Sequence, residues 1–150
     1  MTPDKAAIKD RRAQSRQKMQ SLVTARTATL SLYAKLADMK PFPDKLEAQK
    51  LVQRFCQALV DYTAGAHFIL YRYIDEKTER RRPVLDVADR IYPRIVDITQ
   101  YILDFNDKYD CEDHCGLLGS LAEDLSKLGE ALADRIELED SLIEVLAQER

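Results

Sequence analysis

Two long stretches of this sequence carry mostly apolar residues spaced alternately by four and three positions, and we call each such set the seam of its helix. The first set is Val52, Cys56, Leu59, Thr63, Ala66, Leu70 and Tyr73. The second set is Val84, Ala88, Ile91, Ile95, Ile98, Ile102 and Phe105, and the residues predicted to widen its apolar face are Leu85, Tyr92, Val96, Thr99 and Leu103. This spacing places each set along one side of an α-helix, as in helices that pack against other helices. Both stretches are therefore predicted to be helices of a bundle, and the second is expected to continue through Pro93.

Two further helices flank this pair. One begins at Met19 and ends before the prolines at positions 41 and 43. Its predicted stripe is Val23, Thr27, Leu30, Ala34 and Ala37, and the residues beside that stripe are Leu22, Arg26, Tyr33 and Leu36. Asp44 and Glu47 form a variant of the capping box and place the start of the next helix at Asp44. In the last helix the apolar stripe is Leu118, Leu121, Leu125, Leu128, Leu132, Ile136, Ile143 and Leu146, with Leu138, Leu142 and Val145 as a second stripe.

These helices predict an all-α fold, a four-helix bundle with mostly antiparallel neighbours. The chain has 150 residues with only four glycines and five prolines, which disfavours a β-sandwich or barrel with frequent turns. Residues 19–150 are expected to form one bundle domain. Residues 1–18 are rich in Lys and Arg and poor in large apolar residues, so they are interpreted as a basic N-terminal extension, helical or frayed.

The composition also bears on location and on the kind of partner. No apolar run is long enough to cross a membrane, and the charged N-terminus does not resemble a signal peptide. Three cysteines, an odd number, fit a reducing compartment, so we expect a cytoplasmic protein. Residues 101–150 carry 14 acidic and 4 basic side chains, whereas residues 1–54 carry 5 and 12. The acidic third disfavours direct nucleic-acid binding and favours a basic partner, although solvated helix faces or internal pairing would explain it too.

One apolar residue interrupts the polar face of the helix that contains Phe55 to Asp75. Phe68 follows Gly65 by one turn and Asp61 by two turns, so its ring is predicted to stand above a shallow spot beside a carboxylate. Glycine inside a helix is unfavourable by about 1 kcal/mol relative to alanine, which indicates a packing or docking reason for Gly65. The face is a candidate docking site, although a single exposed apolar residue is also common on ordinary surfaces.

The residues that could carry catalysis or bind metal are few. Cys111, His114 and Cys115 offer three zinc ligands from one segment but no convincing fourth. His67 is predicted to be a core residue hydrogen-bonded to a carboxylate of the last helix, namely Glu137, Glu139 or Asp140. The alternative function is a ligand- or metal-binding bundle that uses His67 with those acidic residues. No cofactor is expected, no phosphate-binding loop or catalytic triad is present, and we do not expect an enzyme.

Several separated motifs in the same order resemble the regulator of sigma D family, which includes the alginate regulator AlgQ. They are Phe55-Cys56-Gln57-Ala58-Leu59-Val60-Asp61-Tyr62, Ala64-Gly65-Ala66-His67-Phe68, Ile91-Tyr92-Pro93-Arg94, Phe105-Asn106-Asp107 and Arg135-Ile136-Glu137-Leu138-Glu139-Asp140-Ser141-Leu142-Ile143. The resemblance covers the chain from about residue 15 to its end.

The resemblance implies an anti-sigma factor that binds the C-terminal domain of the primary sigma factor of RNA polymerase, whose helix-turn-helix reads the −35 promoter element. The family's contact segment corresponds to Asp61 to Ile69, so Asp61, Phe68 and Ile69 carry over by position. The order Gly65-Ala66, the arginine at position 72 and Leu22 depart from the family's usual residues and leave open which sigma factor is bound. The predicted partner-binding set is Asp61, Gly65, Phe68, Ile69, Arg72, Leu22 and Arg26.

Overall fold

The computed structural model describes residues 5–39, 46–71, 81–109 and 120–147. Four α-helices occupy this part of the chain: α1 (Lys5–Asp38), α2 (Leu46–Ala66), α3 (Arg82–Tyr109) and α4 (Leu121–Ala147). A π-helical turn (His67–Tyr71) continues α2. The predicted start at Asp44, together with Tyr73 and Leu118, lies outside the described residues. Helix α1 is continuous from Lys5 through the segment interpreted as an extension, and α3 continues through Pro93.

Cross-helix contacts show that neighbouring helices run antiparallel. Between α1 and α2, Tyr33 packs on Phe55 and the Thr29 hydroxyl donates to the Ala58 carbonyl at 3.1 Å. Between α2 and α3, the pairs Phe55–Phe105 and Tyr71–Tyr92 are in ring contact. Between α3 and α4, the ion pairs are Arg94–Asp134 and Lys108–Asp124. The pairs Arg26–Asp140 and Tyr33–Leu125 join α4 back to α1. The all-α four-helix bundle predicted from the sequence is confirmed.

The core lies along the predicted seams of α2 and α3. Every seam residue of α3 from Val84 to Phe105 is buried, and the described seam residues of α2 from Val52 to Leu70 are buried too. Burial of these side chains is the main contribution that holds the four helices together.

The predicted phase of α1 was wrong. Val23 and Leu30 are 44% and 39% exposed, whereas Leu22, Thr29 and Leu36 are buried. The core-facing side of α1 carries polar groups whose hydrogen bonds are satisfied by neighbouring helices, as in the bond from Thr29 to α2. Leu22 and Leu36, which were predicted to lie beside the main stripe, therefore face the core, and the main stripe does not.

The predicted continuation of the α4 seam was also wrong. The buried positions of α4 are Leu121, Leu125, Leu128, Leu132, Arg135, Glu139 and Leu142, whereas Ile136 and Ile143 are only partly buried. The four-three spacing persists to the end of this set, but two charged residues occupy it. Their partners in the bundle explain how they can be buried.

Candidate functional site

A buried polar layer joins all four helices near the end of α2. It consists of Arg26 on α1, Tyr62 on α2, Thr99 on α3, and Arg135 and Glu139 on α4. Arg135 and Glu139 are 1% and 0% exposed, and Arg135 Nε donates to Glu139 Oε2 at 2.9 Å. Buried charges require partners of this kind, because an unpaired charge in a low-dielectric interior is strongly unfavourable.

The other members of the buried polar layer complete the hydrogen bonding. The Tyr62 hydroxyl donates to Glu139 Oε1, and Arg135 Nη1 donates to Thr99 Oγ1 at 2.8 Å. Arg26 Nη1 lies 3.7 Å from Glu139 Oε1 and bonds Asp140 Oδ1 at 2.9 Å. Burial raises the pKa of the Glu139 carboxyl above its ordinary value, while Arg135 and the Tyr62 hydrogen bond oppose that rise.

The prediction that His67, Glu137 and Asp140 form the polar core was wrong for all three residues. Each of them is exposed, and the buried carboxylate is Glu139. Arg135 and Tyr62 already engage Glu139, and Arg26 engages Asp140, so those carboxylates already have partners other than His67. The His67 ring instead packs edge-on against Phe68, with 5.8 Å between ring centroids.

Phe68 is 62% exposed, as the sequence predicted, on the π-helical turn that follows α2. Turns of this kind are frequent at functional sites because they interrupt the regular helix and redirect side chains. Asp61 is also exposed, and its Oδ1 accepts a hydrogen bond from Gln57 at 3.0 Å. A Cβ added to Gly65 would meet no atom within 4 Å, so the space above this glycine is open.

The remaining residues of the predicted partner-binding set have mixed positions. Ile69 is half-buried and packs against the core, and Arg26 is held by its acidic partners. Leu22 is 2% exposed, so the prediction that it lies on the interaction surface was wrong: its side chain belongs to the core. Arg72 lies outside the described residues, as do Cys111, His114 and Cys115.

A groove of about 400 Å³ runs between α2 with its π-helical turn and α3. We call it the α2–α3 groove; its apolar rim is Phe68 on one side and Val96 and Leu103 on the other. Val96 and Leu103 are 48% and 44% exposed. Both residues were predicted to widen the apolar face of α3, but they are exposed at the groove, and their spacing of seven places them along one line of that helix.

The wall of the α2–α3 groove reaches the buried polar layer. Thr99 and Arg135 line the groove, as does Tyr71, whose side chain is 1% exposed. Burial is the main cause that raises the pKa of the Tyr71 hydroxyl above its ordinary value, so this group keeps its proton into the alkaline range. Among the described residues, none is a hydrogen-bond partner of that hydroxyl.

Two features of the described residues bear on the predictions about metals and membranes. Within residues 5–39, 46–71, 81–109 and 120–147, no group of three or more His, Cys, Asp or Glu side chains is placed to hold a metal ion. None of the described helices is long and apolar enough to span a membrane.

The fold and surface define a class: an antiparallel four-helix bundle with an apolar groove beside an exposed aromatic side chain. A family model described as "Regulator of RNA polymerase sigma(70) subunit, Rsd/AlgQ" matches residues 1–147. The chain belongs to the Rsd/AlgQ family of regulators of the RNA polymerase sigma(70) subunit, and the resemblance seen in the sequence is confirmed.

Individual relatives agree with this family. The chain is 36% identical over 122 residues to a protein named regulator of sigma D from Enterobacter sp. (strain 638), covering 79% of this chain and 73% of that protein. It is 33% identical over 131 residues to the Yersinia enterocolitica protein of the same name, covering 83% and 77%. It is 37% identical over 118 residues to the Salmonella paratyphi B protein of the same name, covering 76% of this chain and 72% of that protein. No solved structure matches this chain.

Proposed function

We propose that this protein is a cytoplasmic anti-sigma factor that binds the C-terminal, −35-reading domain of the primary sigma factor. The observation that carries the proposal is the position of Phe68. Its ring is 62% exposed within the segment from Asp61 to Ile69, which the family resemblance implies as the contact segment. Aromatic side chains, phenylalanine included, are enriched in the buried cores of protein interfaces, where the residues that dominate binding cluster.

The surroundings of Phe68 support its role as the main contact residue. The open space above Gly65 allows a partner to approach the backbone of α2 closely. The exposed carboxylate of Asp61 lies on the same face, two turns before Phe68. A domain that reads DNA is basic on its DNA-binding side, so a carboxylate beside an apolar anchor matches that surface in charge.

Sequestration follows from the surface that this binding would cover. A partner that covers the helix-turn-helix of the sigma domain prevents its recognition helix from entering the major groove of the −35 element. The protein itself does not need to contact DNA.

The binding test uses the purified C-terminal domain of the primary sigma factor, titrated calorimetrically into wild-type protein and into Phe68→Ala. We expect the wild-type protein to bind and Phe68→Ala to lose about 2 kcal/mol of affinity, roughly thirtyfold. Leu30→Ala, which truncates a 39% exposed side chain on α1, is the matched control and should bind like wild type. Equal affinity of Phe68→Ala and wild type, with both proteins folded, would rule out Phe68 as the anchor.

The functional test measures competition with DNA. Increasing amounts of the protein should displace the sigma domain from a fluorescent duplex that carries the −35 element. The expected displacement follows the affinity order of the variants. If the domain stays on DNA while it is bound to this protein, sequestration of the −35-reading surface is wrong.

A further inference from the structure

Exposed aspartates lie near the rim of the α2–α3 groove in the helical spacing of α2 and α3. On α3, Asp89, Val96 and Leu103 follow one another at intervals of seven, so they lie along one line of the helix. Asp107 lies one turn after Leu103, and Asp104 beside it accepts a hydrogen bond from Gln100 at 2.9 Å. These three aspartates are exposed, and Asp61 supplies a carboxylate from the α2 side.

Two basic residues of α3, Arg94 and Lys108, form ion pairs with α4. Arg94 is paired with Asp134 on α4 at 2.9 Å, on the side of α3 that faces away from the groove. Lys108 is paired with Asp124 on α4 at 2.7 Å. The groove therefore combines an apolar rim with carboxylates along its outer edge.

The dimensions of the groove suit a helix. Val96 and Leu103 are two turns apart, a distance of about 10 Å along α3. Phe68 stands opposite them, so the three apolar side chains can contact residues spaced three, four and seven apart on an inserted helix. The groove is also continuous with the docking face of the proposed function, because Phe68 belongs to both.

We propose that the α2–α3 groove receives one amphipathic helix of the sigma C-terminal domain. The apolar stripe of that helix lies between Phe68 and the pair Val96 and Leu103. Its flanking Lys and Arg side chains face Asp61 on one side and the α3 aspartates on the other. This inference rests on the proposed function and extends the docking surface from α2 onto α3.

The test compares two double variants that remove equally exposed apolar side chains. Val96→Gln/Leu103→Gln changes the groove, and Val23→Gln/Leu30→Gln changes residues of similar exposure on α1. Binding of the purified sigma C-terminal domain is measured by fluorescence anisotropy, with thermal melts for each protein. The groove variant should bind about tenfold or more weakly, and the α1 variant should bind like wild type.

A charge variant tests the second part of the inference. Asp104→Asn/Asp107→Asn should weaken binding and reduce its dependence on salt, because attraction to basic side chains is screened by ions. Glu137→Gln/Glu144→Gln removes two exposed carboxylates of α4 and is the matched control. Equal loss from both charge variants would mean a general field effect and would overturn the proposed contact with the α3 rim.

The outcomes separate the two proposals. If wild-type protein does not bind the sigma domain, both the proposed function and this inference fail. If wild type binds, Phe68→Ala weakens binding and the folded groove variant binds normally, the inference alone is overturned.

A photo-cross-linking residue at position 103 or at position 30, each in an otherwise wild-type chain, covers the case in which the double variants do not fold. Cross-links from position 103 to a Lys- and Arg-bearing helix support the groove, and cross-links from position 30 alone overturn it.

Discussion

At the residue scale, two helical glycines have opposite surroundings and should respond oppositely to alanine. Gly65→Ala places its methyl group in open space, so the substitution should stabilise the fold by about 1 kcal/mol through helix propensity. The same methyl group would occupy the space that we assign to the partner, so binding of the sigma domain should weaken. A thermal melt and a binding titration on one sample measure both effects. A stabilised variant with unchanged affinity would remove Gly65 from the docking face.

Gly129 on α4, unlike Gly65, lies where a neighbouring helix packs closely, because the ring of Tyr33 on α1 faces it. A Cβ at this position would lie 2.2 Å from the Tyr33 hydroxyl oxygen and 2.9 Å from Cζ of the same ring. That hydroxyl donates to the Leu125 carbonyl at 2.9 Å, so the ring cannot move without losing the bond. Gly129→Ala should therefore destabilise the protein by about 1–3 kcal/mol despite its better helix propensity. Chemical denaturation measures this change, and a variant as stable as wild type would contradict the close approach.

At the element scale, the charged pair on α4 shows where inference from sequence succeeds and where it stops. The four-three spacing of Leu121 to Leu132 continues through Arg135 and Glu139 to Leu142, so the correct phase was present in the sequence. Charged residues are rarely buried unless they are paired, and their partners Tyr62 and Thr99 lie on other helices. Apolar spacing within one helix cannot reveal such pairing, which is why Ile136 and Ile143 were preferred.

Breaking the Arg135–Glu139 pair tests the buried polar layer. Arg135→Met removes the cation and leaves a buried carboxylate with a weaker set of partners, which should cost about 3–5 kcal/mol. Adding Glu139→Gln should recover part of that loss, because the amide oxygen still accepts the Tyr62 hydrogen bond without a charge. Urea unfolding of the two variants and wild type gives the comparison. If Arg135→Met/Glu139→Gln were less stable than Arg135→Met, the unpaired carboxylate would not be the cause of the lost free energy of unfolding.

At the scale of the whole molecule, buried tyrosines should make the fold sensitive to alkali. Burial is the main cause that raises the pKa of Tyr62, Tyr71 and Tyr109. The pKa of each of these tyrosines is higher in the folded protein than in the unfolded protein. The contribution of the protonated hydroxyl to the free energy of unfolding is therefore complete below the unfolded pKa and is lost as pH rises above that value. Each tyrosine should therefore lower the free energy of unfolding by about 1.4 kcal/mol per pH unit above about pH 10.

The variant Tyr71→Phe isolates one of these contributions. It removes a buried hydroxyl without a partner among the described residues, so stability at pH 7 should be unchanged or higher. Its stability should also fall less steeply than that of wild type above about pH 10. Denaturation at pH 7 and at alkaline pH gives the two slopes, and identical slopes would mean that Tyr71 does not keep its proton in the folded state.

The docking surface of the molecule was predictable only in part. Asp61 and Gly65 lie on α2 and Phe68 lies at the second residue of the π-helical turn, so helical spacing along α2 was enough to place the three residues near one another. Helical spacing predicts that Val96 and Leu103 widen the apolar face of α3, but it does not predict their exposure, because exposure depends on how far α3 stands from α2. His67 was misplaced because the π-helical turn and the partners of Glu139 are features of the assembled bundle.

Hydrogen–deuterium exchange of the full chain, alone and with the C-terminal domain of the primary sigma factor, maps the docking surface directly. Exchange in the complex should be slower over residues 61–71 of α2 and its π-helical turn and over residues 92–103 of α3. The exchange rate of peptides that cover residues 137–144 of α4 should be unchanged. Protection confined to α1 and α4, with the α2–α3 groove unaffected, would rule out this groove and Phe68 as the docking surface for the sigma domain.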